Sequence, residues 1–277
     1  MEHPKLAIYG FGFNLQKIVY PWVASLRSAL ELVGQEGAVF FCECYSEDDT
    51  FQILLNTFGE EIATDRLVVM RHPWEGDYHI QAIIGNKLLD EIGHNFDYAL
   101  KLDMDEVLCE WSFPDFYQDL HWMEGLGYSL GKPRYTHFCP DDRTVFPFIY
   151  ASKAVISSTR NDFRFDLGHG GDACALGGGR EYQARLQIYH YGKMQMGRRR
   201  EAVEKEFSFQ QKYTALGFPD PIVVAQREQQ GYIDYEKVFR GALGRGEFKP
   251  YSGQHPKFVQ GWLEEMRQRE QDFAHRR

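Results

Sequence analysis

Apolar and polar residues follow two different periods in the first hundred residues. Between Pro21 and Val33 apolar side chains recur every three or four positions, which predicts a helix that buries one face. The run Ala38–Cys44 is almost wholly apolar and has the length of a buried strand. The same criteria predict strands at 5–9, 38–44, 66–70 and 98–102, and helices at 21–33, 51–58 and 78–92. Strands separated by helices indicate βαβ units, so we expect an α/β fold with a mostly parallel sheet flanked by helices.

The pattern changes in the second half of the chain. Residues 125–155 contain prolines and short alternating runs, which predict antiparallel strands, and Leu186–His190 predicts one more short strand. The apolar spacing in Phe258–Arg269 predicts a terminal helix. We therefore place a domain boundary near residue 195. It separates two parts: an α/β domain at 1–195 and a helical C-terminal appendage at 196–277.

Charge and cysteine content exclude several classes of protein. The 277 residues include 31 Lys and Arg against 40 Asp and Glu, and the net charge of −9 argues against a nucleic-acid binder, which would carry a basic face. Five cysteines, an odd number in a chain of this size, argue against a disulfide framework. The apolar runs fall short of the roughly 20 residues of a membrane span. The N-terminal residues do not resemble a signal peptide, so we expect a cytoplasmic protein without an integral membrane segment.

Three acids around one methionine follow the predicted strand at 98–102. If the backbone stays extended, Asp103 and Asp105 point the same way and Met104 points the other. Carboxylates at the carboxyl end of a parallel strand lie where open α/β sheets bind ligands. Two like charges this close favour a divalent ion between them, with substrate phosphates completing its coordination sphere. Acids at strand ends also serve as helix caps and turn residues, and that alternative stays open.

Five segments together resemble the GT-A glycosyltransferases, in particular the bacterial family 2-like group. They are, in chain order, the first helix (20–26), the acidic loop (47–50), the Asp-x-Asp strand (96–108), the late His-x-Gly element (188–192) and a tail motif (248–256). The resemblance implies a GT-A-like, Rossmann-like fold. It also implies that the part at 1–195 binds a nucleotide-sugar and carries out catalysis.

The resemblance further implies a metal site that bridges the diphosphate of the nucleotide-sugar. Asp105 would bind the metal directly, His190 would be a further ligand, and Asp103 would belong to the same site, near the ribose or a metal-bound water. Asp48 or Asp49 would contact the nucleobase or the ribose. A mixed oxygen and imidazole ligand set suits Mn²⁺ at least as well as Mg²⁺. The ion would stabilise the charge that the departing nucleoside diphosphate gains.

A basic cluster follows His190, and Lys193 and Arg198 are its candidate phosphate ligands. Arginine forms paired hydrogen bonds with phosphate oxygens, and a local basic cluster is unusual in an acidic chain. The alternative is a solvent-exposed helix start whose arginines pair with Glu201, Glu204 and Glu206. His190 could equally be a structural histidine at a strand end. Both interpretations remain open for the cluster.

The glycine-rich segment 166–172 carries the candidate catalytic base. Inverting transfer requires a base that takes the proton of the acceptor hydroxyl as the oxygen attacks the sugar. Family 2-like enzymes place this base between the Asp-x-Asp strand and the late histidine, so the resemblance makes Asp172 the candidate. The Glu-Asp pair that is usual there is missing from this chain, and Asp166, His169 and Glu181 are alternative bases. An ordinary surface turn explains the glycines equally well.

These observations predict a metal-dependent glycosyltransferase. It would move a sugar from a nucleotide-sugar, expected to be a UDP-sugar, to a saccharide or glycoconjugate acceptor, with inversion at the anomeric carbon. A dinucleotide-binding function is excluded, because Leu15 stands where the third glycine of that fingerprint would follow Gly10 and Gly12.

Two alternative functions remain. A nucleotidyltransferase could use the same acids, although it would normally show a glycine-rich basic loop near the N-terminus. A non-catalytic nucleotide- or sugar-binding module on the same fold would bind the donor without turning it over. Slow hydrolysis of a nucleotide-sugar would distinguish an enzyme from such a module.

Overall fold

The computed structural model describes 4–74, 80–138, 142–146, 156–161, 163–165, 175–176, 180–191 and 249–275. These residues divide into two compact units. The first unit comprises Met1–Tyr135, Tyr150–His190 and Gly253–Arg277, and the second comprises Thr136–Ile149 and Tyr191–Ser252.

Strands and helices alternate through the first half of the chain, as the sequence predicts. The strands are β1 (Leu6–Gly12), β2 (Ala38–Glu43), β3 (Leu67–Arg71), β4 (Tyr98–Lys101), β5 (Glu106–Leu108), β6 (Leu130–Phe138), β7 (Thr144–Phe146), β8 (Ile156–Ser158), β9 (Arg164–Phe165), β10 (Ala175–Leu176), β11 (Glu181–His190) and β12 (Lys249–Pro250). The helices are α1 (Val19–Val33), α2 (Thr50–Ala63), α3 (Ile80–Ile92), α4 (Phe113–Leu126) and α5 (Lys257–His275), with short 3-10 helices at Gln16–Ile18 and Glu110–Ser112.

The first unit is built on four parallel strands in the order β3-β2-β1-β4. Beyond β4 the pairing becomes antiparallel, first with β8 and then with the start of β6. Strand β5 pairs separately and in antiparallel fashion with β11. The predicted α/β fold with a mostly parallel sheet, flanking helices and a helix near the C-terminus is therefore confirmed.

Both faces of β1 are buried. Leu6 and Ile8 belong to the apolar cluster that includes Trp22 of α1, whereas Ala7 and Tyr9 belong to the cluster that includes Ile84 of α3. Because side chains alternate along a strand, a strand covered on both faces needs apolar residues at every position. This requirement explains the unbroken apolar runs from which the sequence predicts the strands.

Helix α4 was not predicted, although its sequence carries the signal. Its buried apolar residues are Phe113, Phe116, Leu120 and Met123, spaced three or four apart as on one helical face. Pro114 lies in the first turn, where the missing N–H costs nothing, and Gly127 ends the helix at a positive φ of 68°.

The second unit contains two antiparallel strand pairs among its described residues. His137 and Phe138, at the end of β6, pair with β7, and β7 pairs with β12. The ring of Phe138 stacks on that of Tyr191 with 5.1 Å between centroids, and Tyr251 meets Phe138 edge-on at the same distance. The predicted boundary near residue 195 stays a prediction, because 192–248 lie outside the described residues.

None of the helices among the described residues has both the length and the apolar character that crossing a bilayer requires.

Replacement of Phe41 by alanine tests the packing between β2 and α1. The side chain is fully buried and its ring lies 6.3 Å from that of Trp22. We expect Phe41→Ala to lower the free energy of unfolding by about 3–5 kcal/mol, because it leaves a cavity in the core. Urea denaturation measures the change.

The control is Leu55→Ala on α2, where the residue is 39% exposed. Its expected effect is within about 0.5 kcal/mol. Equal losses in the two variants would contradict the packing described for β2.

Candidate functional site

The candidate site lies at the carboxyl ends of the parallel strands. Strands β1, β2 and β4 run in the same direction, so the segments that follow them meet at one edge of the sheet. Three such segments carry polar side chains: the 3-10 helix Gln16–Ile18, the acidic loop at 47–50 and the residues that follow Lys101. Ligands of open α/β sheets bind at this edge.

The acids after β4 form a tight turn, which we call the Asp turn (Asp103–Glu106). The N–H of Glu106 donates to the carbonyl of Asp103 at 3.0 Å, and the N–H of Asp103 donates to the Glu106 carboxylate at 2.9 Å. The expectation of extended backbone across Asp103 and Asp105 is therefore wrong. A side chain that bonds to nearby backbone offers the chain an alternative to the strand, and Glu106 does so here.

Gly10 of β1 allows the chain after β4 to pass close by. A Cβ atom at this position would lie 2.4 Å from the carbonyl oxygen of Leu102 and 2.4 Å from the terminal methyl of Met104. The buried Met104 thus packs directly over β1 and fastens the Asp turn to the sheet. The glycine at position 10 thus serves close packing at the candidate site.

Lys101 neutralises the first acid of the turn. Its Nζ atom lies 2.6 Å from Oδ1 of Asp103 and 5.6 Å from the ring centre of Phe11. The lysine residue is only 6% exposed, and a lysine so deeply buried requires a charged partner. The sequence analysis did not identify this residue, although a lysine inside an apolar strand itself indicates a charged partner nearby.

Asp105 and His190 meet even though they are far apart in sequence. Oδ1 of Asp105 lies 3.4 Å from Nε2 of His190. Antiparallel pairing of β5 and β11 places His190 directly opposite Glu106, the neighbour of Asp105. Strand β5 is in turn tied to α1, because the N–H of Leu108 donates to the hydroxyl of Ser28 at 3.1 Å.

An ion pair between a buried carboxylate and a partly exposed arginine fixes the middle of β11. The carboxylate of Asp119, on α4, accepts hydrogen bonds from the backbone N–H and Nε of Arg185 at 2.5 and 2.9 Å, and from the hydroxyl of Tyr182 at 3.0 Å. This carboxylate raises the pKa of the Arg185 guanidinium above its ordinary value. Helix α4 therefore holds the strand that carries His190.

The Asp105–His190 pair fits part of a metal site. One carboxylate oxygen and one imidazole nitrogen face each other, which is a donor set suited to Mn²⁺. Within the described ranges, no three His, Cys, Asp or Glu residues are arranged to hold a metal ion together. Two protein donors would thus leave most of the coordination sphere to water and to phosphate oxygens, as is common for Mg²⁺ sites that bind phosphates.

The acidic loop is fastened to the segment after β1. Oδ2 of Asp48 accepts from the backbone N–H of Gln16 at 3.1 Å, and Oδ2 of Asp49 accepts from its side-chain amide at 3.0 Å. Oδ1 of Asp48 also accepts from the N–H of Thr50 at 3.0 Å. The two acids therefore hold the loop in place, and their predicted contact with a nucleobase or ribose stays a prediction.

The carboxylate of Glu43, next to the acidic loop, is a second group that the sequence analysis did not identify. Glu43 is fully buried and accepts hydrogen bonds from the N–H of Ser46 at 2.6 Å, the N–H of Tyr45 at 3.2 Å and Nε of Arg71 at 2.9 Å. The Arg71 guanidinium lies between the rings of Tyr45 and Phe51, at 4.1 and 4.4 Å from their centres. Glu43 is the one charged residue in the apolar run of β2, and a buried charge signals a partner.

The other predicted site residues are placed as follows. Glu181 begins β11 and pairs with Lys132 at 2.6 Å, so it lies at the opposite end of that strand from His190. The remaining candidates lie outside the described residues: Asp166, His169, Asp172, Lys193 and Arg198. Their roles stay predictions.

Replacement of Glu43 by alanine tests whether this carboxylate shapes the edge of the site. We expect Glu43→Ala to lower the free energy of unfolding by about 1–3 kcal/mol, because Arg71 and two backbone N–H groups lose their acceptor. The control is the exposed Glu47→Ala, with an expected change within about 0.5 kcal/mol. Urea denaturation measures the free energy of unfolding of both variants. If only Glu47→Ala lost stability, the structural role assigned to Glu43 would be contradicted.

Comparison with known proteins gives partial structural likenesses. No protein-family model matches the chain, and no curated protein matches it. Among solved structures the chain is similar to two crystal structures of S. aureus TarS 1–349, one of them in complex with UDP. In both cases the TM-score is 0.46, the sequence identity is 14%, and the match covers 67% of this chain. The chain spans 60% of the length of the TarS structures that it matches.

Proposed function

We propose that this chain is a metal-dependent glycosyltransferase. It takes a sugar from a nucleotide-sugar, with a UDP-sugar as the expected donor, and transfers it with inversion to a saccharide or glycoconjugate hydroxyl. The observation that carries the proposal is the Asp105–His190 pair, 3.4 Å apart, at the carboxyl edge of a parallel sheet. The family resemblance in the sequence supplies the reaction class.

The charges around the Asp turn support a bound cation. Asp103 and Asp105 place two carboxylates within three consecutive residues, and the ammonium of Lys101 is bonded to one of them. Carboxylates this close repel one another unless positive charge lies between them. A divalent ion at Asp105 and His190 would reduce that repulsion and would attract the diphosphate of the donor.

The two proposed metal ligands differ in exposure. The Asp105 side chain is 25% exposed, and that of His190 is 9% exposed. When bound, Mn²⁺ or Mg²⁺ would act as a Lewis acid that stabilises the departing nucleoside diphosphate. Asp105 and His190 would hold the ion, while Lys101 keeps the Asp103 carboxylate oriented beside it.

The transfer itself requires a base from this chain, and we assign that role to Asp172. Its carboxylate would take the proton of the acceptor hydroxyl while that oxygen forms a bond to the anomeric carbon. The bond from the anomeric carbon to the diphosphate oxygen breaks in the same step, and its electron pair leaves with the nucleoside diphosphate. Lys193 and Arg198 are the proposed partners of the phosphates.

Metal-dependent nucleotide binding tests the proposal. Calorimetric titration of UDP, GDP and CMP, each with Mn²⁺ and with EDTA, should show one nucleotide that binds only with the metal. Asp105→Ala should remove this binding and leave the fold intact, because the Asp105 side chain is partly exposed and is not part of the apolar core. The control Glu264→Ala, at an exposed position on α5, should bind as the wild type does. If Asp105→Ala keeps its nucleotide affinity in Mn²⁺, the metal site is assigned wrongly.

Replacement of Asp172 tests the catalytic base. We expect Asp172→Asn to bind UDP as tightly as the wild type and to transfer the sugar roughly 10²–10⁴-fold more slowly, the usual scale for loss of general base catalysis. Single-turnover transfer from a radiolabelled UDP-sugar measures the rate. Wild-type rates in this variant would point to Asp166, His169 or Glu181 instead.

A further inference from the structure

Glu106 is a buried acid that the proposed chemistry does not use. The residue is 1% exposed, and it begins β5 immediately after the Asp turn. An ionised carboxylate taken out of water costs free energy unless hydrogen bonds compensate for the lost solvation. A group of this kind beside a candidate site therefore requires an explanation in terms of its contacts.

The first contact closes the Asp turn from both sides. Oε2 of Glu106 accepts from the backbone N–H of Asp103 at 2.9 Å, and the N–H of Glu106 donates to the carbonyl of Asp103 at 3.0 Å. The hydroxyl of Ser25, on α1, donates to the same carbonyl at 3.4 Å. The peptide groups of Asp103 are thus held in one orientation, and the direction of the Asp105 carboxylate follows from that orientation.

The second contact links the turn to the opposite strand. Glu106 and His190 are direct partners in the β5–β11 ladder. The backbone of Glu106 therefore sets the position of His190, while its side chain sets the shape of the turn that carries Asp105. One residue thus joins the two groups whose nearest atoms lie 3.4 Å apart.

We propose that Glu106 is a positioning residue, which acts because its carboxylate accepts a hydrogen bond. The role of Asp105 and His190 as metal ligands rests on the proposed function. The carboxylate accepts the Asp103 N–H and so keeps Asp105 and His190 at a separation at which both contact one ion. Groups that orient metal ligands in this way contribute about 10–100-fold to metal affinity. For this role the length of the side chain and its ability to accept a hydrogen bond matter, whereas its negative charge does not.

Two conservative variants separate reach from charge. Glu106→Gln has the same length and keeps an acceptor oxygen, but it carries no charge. Glu106→Asp keeps the charge, but it is one methylene shorter and cannot reach the Asp103 N–H. A positioning role predicts that the glutamine variant resembles the wild type and that the aspartate variant does not. A role in charge or in direct metal ligation predicts the reverse.

The first measurement uses the protein without nucleotide or metal. Amide hydrogen exchange of Asp103, followed by NMR, should be as slow in Glu106→Gln as in the wild type. In Glu106→Asp it should be roughly tenfold faster, because one hydrogen bond is lost. Equal exchange rates in all three proteins would overturn the positioning role. This outcome does not depend on whether the chain is a glycosyltransferase.

The second measurement is the Mn²⁺ concentration that half-saturates UDP binding, determined by calorimetry. We expect a value within about threefold of the wild type for Glu106→Gln and a rise of about 10–100-fold for Glu106→Asp. A purely structural residue would lower the unfolding temperature of its variants and leave this half-saturation unchanged, and that result would overturn the proposal. A larger rise in the glutamine variant than in the aspartate variant would also overturn it.

The two measurements distinguish failure of the inference from failure of the proposed function. If the wild type binds no nucleotide with Mn²⁺, the proposed function fails. The exchange rates then still decide whether Glu106 positions the Asp turn: slow exchange in the glutamine variant with fast exchange in the aspartate variant supports it. If the wild type binds and both variants bind as it does, only the inference fails.

Discussion

The antiparallel pairing of β5 with β11 is the interaction on which the candidate site depends. It brings His190 opposite Glu106 and thereby within reach of Asp105. The pairing is held at the α1 side by the Ser28–Leu108 hydrogen bond and at the α4 side by the Asp119–Arg185 pair, whose carboxylate is buried. A shift of one residue in this ladder would turn His190 to the other face, because side chains alternate along a strand. The same pairing of β5 with β11 therefore determines both the packing of these strands and the geometry of the candidate site.

Buried charge is concentrated at the same edge of the sheet. Glu43, Lys101 and Glu106 are all buried: Glu43 and Lys101 end β2 and β4, and Glu106 begins β5 directly after the Asp turn. Each is compensated by hydrogen bonds or ion pairs with the loops that follow those strands. Burying charged groups costs stability, and fully bonded polar networks gain rigidity in exchange. The edge of the sheet is thus built from polar contacts that hold loops, whereas its centre is apolar.

The sequence allowed the fold class to be predicted, because strands covered on both faces leave unbroken apolar runs and helices leave a period of three to four. It also allowed Asp105 and His190 to be named together, although only through a family resemblance. The backbone of the Asp turn could not be predicted, because its shape depends on a hydrogen bond from Asp103 to Glu106 that competes with the extended conformation. The Asp103–Lys101 pair was missed for a different reason: the lysine was counted as part of a strand.

The hydrogen bonds of the predicted site residues divide them into two kinds. Asp48 and Asp49 already accept from Gln16, so a nucleoside would have to replace those bonds or share the remaining lone pairs. Asp105 faces an imidazole whose Nε2 atom lies 3.4 Å away, a separation at which an ion can be shared more readily than at a short hydrogen bond. A ligand would therefore gain most binding energy if it brought positive charge to Asp105. Near the acidic loop it would gain most from stacking or from backbone contacts. On the proposed function, the metal-dependent part of the binding energy would therefore arise at the Asp turn, and the acidic loop would shape the pocket.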